Sequence, residues 1–351
     1  MNINIHKKFS DYFGKTINYI EELLLPPCNI DPKRLDGGNA LIRIIAISCV
    51  LLLHHYSYLK PWISEAKLVS SFTYCCFWAI PAFVCISGKQ LPIKIPYPIF
   101  YRKKVYRILI PTIFWSIIFS LFVYFKSKFT LKEIFESYLN CCPFYHLWFM
   151  YMLCGLYILA PFCSIIIKKV PFFYLIPIGF LIMLKPNIWN NPPWQYPLLL
   201  SLPYVFIFLI GGHISRLHIT QRIGLLSCFV ALLYLLFMAG IPFLNLDKTS
   251  QYPFPHYLSY FSQLGGISIT LSFLWLGTYF PIHTKMVLFK ISQLVYGVSF
   301  IHPIIIKISM KFITSESINT VSFLLIFMIN WFISFFIVAC FKKIKFLQQV
   351  V

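Results

Sequence analysis

Acidic residues are what this chain has least of. Its 351 residues include 10 Asp or Glu against 30 Lys or Arg, and all ten acids fall in connecting segments or tails, none within a long apolar run. Their absence at depth argues against paired-carboxylate catalysis, and against an ion-coupled transporter built on intramembrane Asp or Glu. Charge of either sign is scarce: 11% of residues are charged, whereas a soluble domain carries about 25%. A water-facing surface cannot be made from such a sequence. The alternating ten-residue pattern of a membrane β-barrel is also missing. No CxxC or Cys/His spacing suggests zinc, and the eleven cysteines lie mostly inside apolar stretches as small buried hydrophobes. No metal and no tightly bound cofactor are expected. Residues 1–38 are polar and mixed in charge, without the early apolar core and small-residue cleavage site of a removable signal. Ile17 to Leu25 reads as a short interfacial helix ended by Pro26-Pro27.

What the chain does have is apolar length. It is 59% hydrophobic, with a mean hydropathy of +0.76. Runs long enough to cross a bilayer occur near 40–57, 69–87, 107–125, 146–166, 171–185, 197–213, 223–243, 258–280, 293–310 and 320–341. The expected fold is therefore all-α: a polytopic bundle of about ten transmembrane helices. A segment 1–38 precedes the membrane domain 39–341, and a tail 342–351 follows it. With the N-terminus assigned to the cytoplasm, twenty basic residues fall on that side and eight on the other. This bias predicts both termini inside. It also accounts for the net charge of +20 without nucleic acid, for which no basic groove with interleaved aromatics is present.

Two expensive residues stand in the first span. Arg43 and His54 are eleven residues apart in Leu41-Ile-Arg-Ile-Ile-Ala-Ile-Ser-Cys-Val-Leu-Leu-Leu-His54. Ionisable groups at membrane depth usually mark a substrate path, proton relay or catalytic centre. Eleven helical steps separate them by roughly 16 Å, placing them at different depths of one path. Taken singly, Arg43 can snorkel to the headgroups and His54-His55 can sit in an interfacial belt; their joint occurrence favours function. With no carboxylate at depth, a neutral histidine is the available proton acceptor, and a cation can bind phosphate or stabilise an oxyanion.

Other segments admit two readings each. Arg102-Lys-Lys-Val-Tyr-Arg107 is a positive-inside loop or a cradle for the phosphates of a cytoplasmic donor. Phe83-Val-Cys-Ile-Ser87-Gly88 ends the second span at glycine. Tyr145-His146-Leu-Trp148-Phe149 opens the fourth span, where Tyr and Trp anchor at headgroup level. In Tyr296-Gly-Val-Ser-Phe-Ile-His302-Pro303 the histidine can serve merely to bond a carbonyl freed by the proline.

Taken in order, these segments resemble the acyltransferase-3 family of integral membrane acyltransferases. Arg43 and His54 look like its Arg-x10-His signature, Phe83 to Gly88 its Phe-Phe-x-x-Ser-Gly element, and Lys104-Val-Tyr-Arg107-Ile-Leu-Ile-Pro111 its Arg-x-x-Arg motif. His146-Leu-Trp-Phe149 with Tyr157 and Pro161, and Tyr296-Gly with His302-Pro303, are similar to its later patterns. Two departures stand out: Lys104 occupies the place of an arginine and loses its bidentate fork, and Val84 replaces the second aromatic before Ser87.

The resemblance is to stand-alone bacterial surface-polysaccharide O-acetyltransferases, in the inner (cytoplasmic) membrane. It implies acyl transfer, most simply from acetyl-CoA as donor substrate, to a hydroxyl of an envelope glycan or lipid-linked sugar. It makes His54 the catalytic base or a transient acyl carrier, and Arg43 a donor-binding or oxyanion-stabilising cation. Lys104 and Arg107, with Arg102 beside them, would contact the donor phosphates, and Ser87, His146, Trp148 and His302 are secondary candidates. The rival reading is an exporter or flippase that moves such a glycan without chemistry. A membrane sensor or scaffold is a weaker third, since it leaves Arg43 and His54 unexplained.

Overall fold

A computed structural model describes residues 35–127, 130–175, 201–244, 259–313 and 317–351. The described residues are almost entirely helical; the one β-type pairing among them is the bridge between Ile63 and Ile318. Among the described residues seven helices are long and apolar enough to cross a membrane: Gly37–Trp62, Ala66–Gly88, Tyr97–Phe125, Trp148–Lys169, Gln221–Gly240, Val295–Phe312 and Thr320–Phe341. Leu202–Ile214 is a shorter apolar helix. Most of the expected span 171–185 and the interfacial helix at Ile17 to Leu25 lie outside the described residues. The third span starts ten residues before its expected limit, because the basic segment continues the helix and does not form a loop.

The central element is α1 (Gly37–Leu59). Asp36 caps it by accepting from the Asn39 amide at 2.9 Å, which satisfies one of the donors that a helix start leaves open. The same carboxylate pairs with Lys89 Nζ at 2.9 Å. This ties α1 to the end of α3 (Ala79–Gly88), which follows α2 (Ala66–Tyr74) after a break at Cys75–Trp78. Further along are α4 (Tyr97–Lys104), a π-type turn Val105–Leu109, α5 (Ile110–Ser127), α6 (Leu131–Leu139) and α7 (Trp148–Lys169). After them come α8 (Val205–Ile214), α9 (Gln221–Gly240), α10 (Tyr260–Leu276), α11 (Ile282–Ser292), α12 (Val295–Ser309) and α13 (Thr320–Phe341).

Helix α1 packs against α3, α10, α11, α12 and α13. Its Ile42 and Ala46 belong to one apolar cluster and its Ile47 and Leu51 to another, so it is held on several sides. In lipid the hydrophobic effect does not drive such packing; close contact and interhelical hydrogen bonds do. Trp331 Nε1 donates to Ser48 Oγ at 2.7 Å across α13 and α1. At the far end, Glu65 accepts from both the amide and the hydroxyl of Thr320. Those bonds hold the Glu65 carboxyl below the usual carboxylate range. Outward faces are greasy, as α9 shows with Leu225, Leu226, Phe229, Leu232 and Leu236 exposed, the pattern of a lipid-facing surface.

Gly88 does more than end a helix. A Cβ there would lie 2.0 Å from the Phe208 carbonyl oxygen, and one at Gly211 would lie 1.9 Å from that of Cys85. Helices α3 and α8 therefore cross backbone to backbone, a contact that only glycine permits. Gly211→Leu should force them apart and cost about 1–3 kcal/mol or more, as overpacking does. The check is a fall in melting temperature of detergent-solubilised protein, with Ser227→Ala on α9 as a mild control; equal melting of the two variants would refute the crossing.

Candidate active site

Arg43, Ile47, Val50 and His54 lie at steps of four, three and four along α1, which puts them on one stripe of the helix. All four line a single cavity of about 860 Å³. Tyr296, Ser299 and His302 form a matching stripe on α12, with the same cavity between them. Ser87 from α3, Lys104 from α4, Arg107 from the π turn, and Trp148 and Tyr157 from α7 complete the wall. The cavity is chemically divided along its length.

At one end stand histidines. The His54 ring stacks on that of His302, with centroids 5.2 Å apart and planes at 27°, and meets Tyr145 edge-on at 5.0 Å. His146 lies 5.5 Å from His302. His302 Nδ1 donates to the Val298 carbonyl at 2.9 Å, and since a carbonyl can only accept, this fixes the tautomer. Its Nε2 is then an acceptor, buried and without a hydrogen-bond partner. Both ring nitrogens of His146 are likewise buried and unpartnered. Polar groups in that condition are costly unless a ligand engages them. Thus His302 bonds the Val298 carbonyl, which is not the one Pro303 frees, since a proline leaves open the carbonyl four residues before it, and its Nε2 is left without a hydrogen-bond partner.

His55 has a different situation. Its Nδ1 donates to the Leu51 carbonyl at 2.8 Å, and its Nε2 accepts from Asn330 Nδ2 at 2.8 Å. The Asn330 amide also donates to Ser309 Oγ at 2.8 Å. Both ring nitrogens of His55 are used: Nδ1 within α1, and Nε2 in the link through Asn330 that joins α1, α12 and α13. His54 lines the cavity and His55 does not.

At the other end stand cations. Lys104 Nζ sits 3.9 Å from the centroid of the Tyr157 ring and 5.3 Å from that of Phe100, and donates to Gln90 Oε1. Arg43, Lys104 and Arg107 are near enough for their charges to repel one another. None of the three forms an ion pair with a carboxylate among the described residues. The Ser87 hydroxyl is in hydrogen-bonding reach of the Tyr157 phenol. Like charges gathered in a partly desolvated wall, where among the described residues the one opposing carboxylate felt by Arg43 is Asp36, itself paired with Lys89, are suited to an anionic ligand.

A family model described as an acyltransferase domain matches residues 36–341. The chain belongs to the acyltransferase-3 family. The match opens at the capping residue of α1 and closes at the last residue of α13, so it covers the numbered helices that line the cavity, while Lys342, Gln348, Gln349 and Val351 of the wall lie beyond it. This acyltransferase-3 protein is thus a multi-pass membrane protein and an acyltransferase. No curated protein and no solved structure matches the chain.

Of the residues singled out in this acyltransferase's sequence, the cavity brings together Arg43, His54, Ser87, Lys104, Arg107, His146, Trp148 and His302. It leaves out Arg102, which is exposed with its guanidinium carbon 6.0 Å from the Tyr106 ring centroid. Two residues apart on a helix means about 200° around it, so Arg102 and Lys104 cannot share a face. Gln90, Gln293 and Lys342 line the cavity too. Neither glutamine carries a signal in the sequence, and Lys342 is hidden among the ordinary positive charges of the tail. Among the described residues no cluster of His, Cys, Asp or Glu is placed to hold a metal ion.

Proposed function

We propose that this acyltransferase moves an acyl group, most simply acetyl, from a cytoplasmic acyl-CoA to a hydroxyl of an envelope polysaccharide or lipid-linked sugar. The observation that carries the reading is one cavity with unpaired cations at one end and histidines with free nitrogens at the other. Acyl-CoA has the same polarity: an anionic phosphate end, an extended arm and a neutral thioester. Phosphates at Arg43, Lys104 and Arg107 direct the arm along α1 towards His54. In this reading the cationic end faces the cytoplasm, as the charge bias over ten helices predicts, and the membrane is the bacterial cytoplasmic membrane.

His54 removes the proton from the acceptor hydroxyl as its oxygen attacks the thioester carbonyl. The tetrahedral intermediate expels the CoA sulfur, and the imidazolium returns the proton to that thiolate. The products are an O-ester and free CoA, with no proton gained or lost. In the two-step form a His54 ring nitrogen attacks the thioester and expels the CoA thiolate, and the acyl-imidazole then gives the acyl group to the acceptor hydroxyl, whose proton goes to the thiolate. Arg43 belongs with the donor phosphates, because roughly 16 Å of helix separates it from His54.

Purified protein given labelled acetyl-CoA and envelope glycan tests the reading directly: label in the glycan supports it. Glycan movement across vesicles without label transfer would favour the exporter. At the mouth, Lys104→Ala and Arg107→Ala should each weaken CoA binding roughly 3- to 10-fold, since partly exposed charge-assisted contacts are screened. Arg102→Ala should leave binding unchanged. Equal loss at Arg102 would point to general surface charge instead of a built site.

A further inference from the structure

Beyond Phe341, where the family match stops, the chain turns back into the bundle. Val350 and Val351 are only 4% and 5% exposed. The indole Nε1 of Trp115 on α5 donates to the Val350 carbonyl at 2.8 Å, and Phe346 packs edge-on against Phe114 with centroids 6.0 Å apart. Val351 also presses on α12, where a Cβ at Gly297 would lie 2.9 Å from its side chain. Gln348, Gln349 and Val351 line the same cavity as Arg43, Lys104 and Arg107. A segment expected to trail from the last helix is instead part of the wall at the cationic end.

Lys342 is the pivot of this arrangement. It lines the cavity, feels the charge of Arg107, and is drawn below the ordinary lysine range by burial and then by that charge. Its ammonium donates to the main-chain oxygen of Val351. Among the described residues it forms no ion pair with an Asp or Glu side chain. A phosphate oxygen can accept from the same ammonium in a charge-assisted bond.

We propose that Lys342 is a fourth phosphate-binding cation of the donor site, and that the segment Phe346–Val351 competes with the donor for it. The inference rests on the reading of the cationic end as a polyphosphate site. When a nucleotide-linked donor binds, its phosphate takes over the Lys342 ammonium from Val351, and the glutamines of the segment give way at the mouth. Trp115 sets how firmly the segment holds its place. The segment is therefore a built-in competitor, and its grip sets the apparent affinity for the donor.

The test uses full-length protein in nanodiscs, with CoA as the probe and pantetheine, which lacks phosphates, as its control. Lys342→Gln should weaken CoA roughly tenfold and leave pantetheine unchanged, while Lys342→Arg stays within about threefold of wild type. Trp115→Phe keeps an aromatic ring but removes the indole donor, and should tighten CoA about threefold by loosening the segment. Should Lys342→Gln fail to fold, the Lys342→Arg and Trp115→Phe arms still decide. Unchanged CoA binding in Lys342→Gln, with binding lost in Arg107→Ala, would overturn the role of Lys342 and leave the donor reading standing. Unchanged binding in Arg107→Ala and Lys104→Ala as well would bring down the donor reading itself. Weaker CoA binding in Trp115→Phe would overturn the competition, since the segment would then be supporting the donor.

Discussion

His54→Ala should reduce acyl transfer by about 10²- to 10⁴-fold, the range for loss of a positioned general base. Folding and CoA binding should survive, because His54 lies in the cavity wall and the donor cations stand roughly 16 Å along the helix. The adjacent residue provides the control. His55 uses both ring nitrogens within the bundle, so His55→Ala leaves one N–H of the Asn330 amide without its acceptor and costs about 1–3 kcal/mol of stability. Its activity, per folded molecule, should stay near wild type. Label from acetyl-CoA that stays on wild-type protein without acceptor, but not on His54→Ala, would establish the acyl-carrier form. Full activity in His54→Ala would remove His54 from the chemistry and direct attention to His302, whose ring stacks on that of His54 and whose Nε2 has no hydrogen-bond partner.

The contrast between His54 and His55 marks how far the sequence reaches. The spacing from Arg43 is legible as a stripe because 43, 47, 50 and 54 follow the helical repeat, and charge scarcity at depth singles out both residues. Helical class and the first long spans are legible for the same reason: apolar length is a local property. What is not local is hidden. That the basic run continues the third helix, and so turns Arg102 away from Lys104, depends on a helix surviving where charge suggests a loop. The backbone contact of Gly88 with Phe208 and of Gly211 with Cys85 joins residues far apart in the chain. The free nitrogen of His302 follows from a hydrogen bond that fixes its tautomer. Lys342 looks like any other tail lysine until the chain after it folds back.

Arg43 is where the two candidate roles of a buried cation come apart. A cation that stabilises the oxyanion must act beside His54, and its loss would lower the turnover rate with donor affinity intact. A cation that holds donor phosphate acts at the other end, and its loss would appear mainly in donor affinity. Arg43 sits with Arg107, Lys104 and Tyr157, and therefore Arg43→Gln should weaken CoA binding by roughly 10- to 100-fold, the worth of one or two charge-assisted hydrogen bonds in a desolvated site. The effect should exceed that of Lys104→Ala or Arg107→Ala, because Arg43 is deeper and less screened. Arg43→Lys should recover only part of it, since a point charge replaces a planar fork. At saturating acetyl-CoA the variant's turnover should approach wild type. A fall in turnover with unchanged CoA affinity would move Arg43 to the oxyanion and require the thioester to lie near the cationic end, reversing the direction in which the donor enters the cavity.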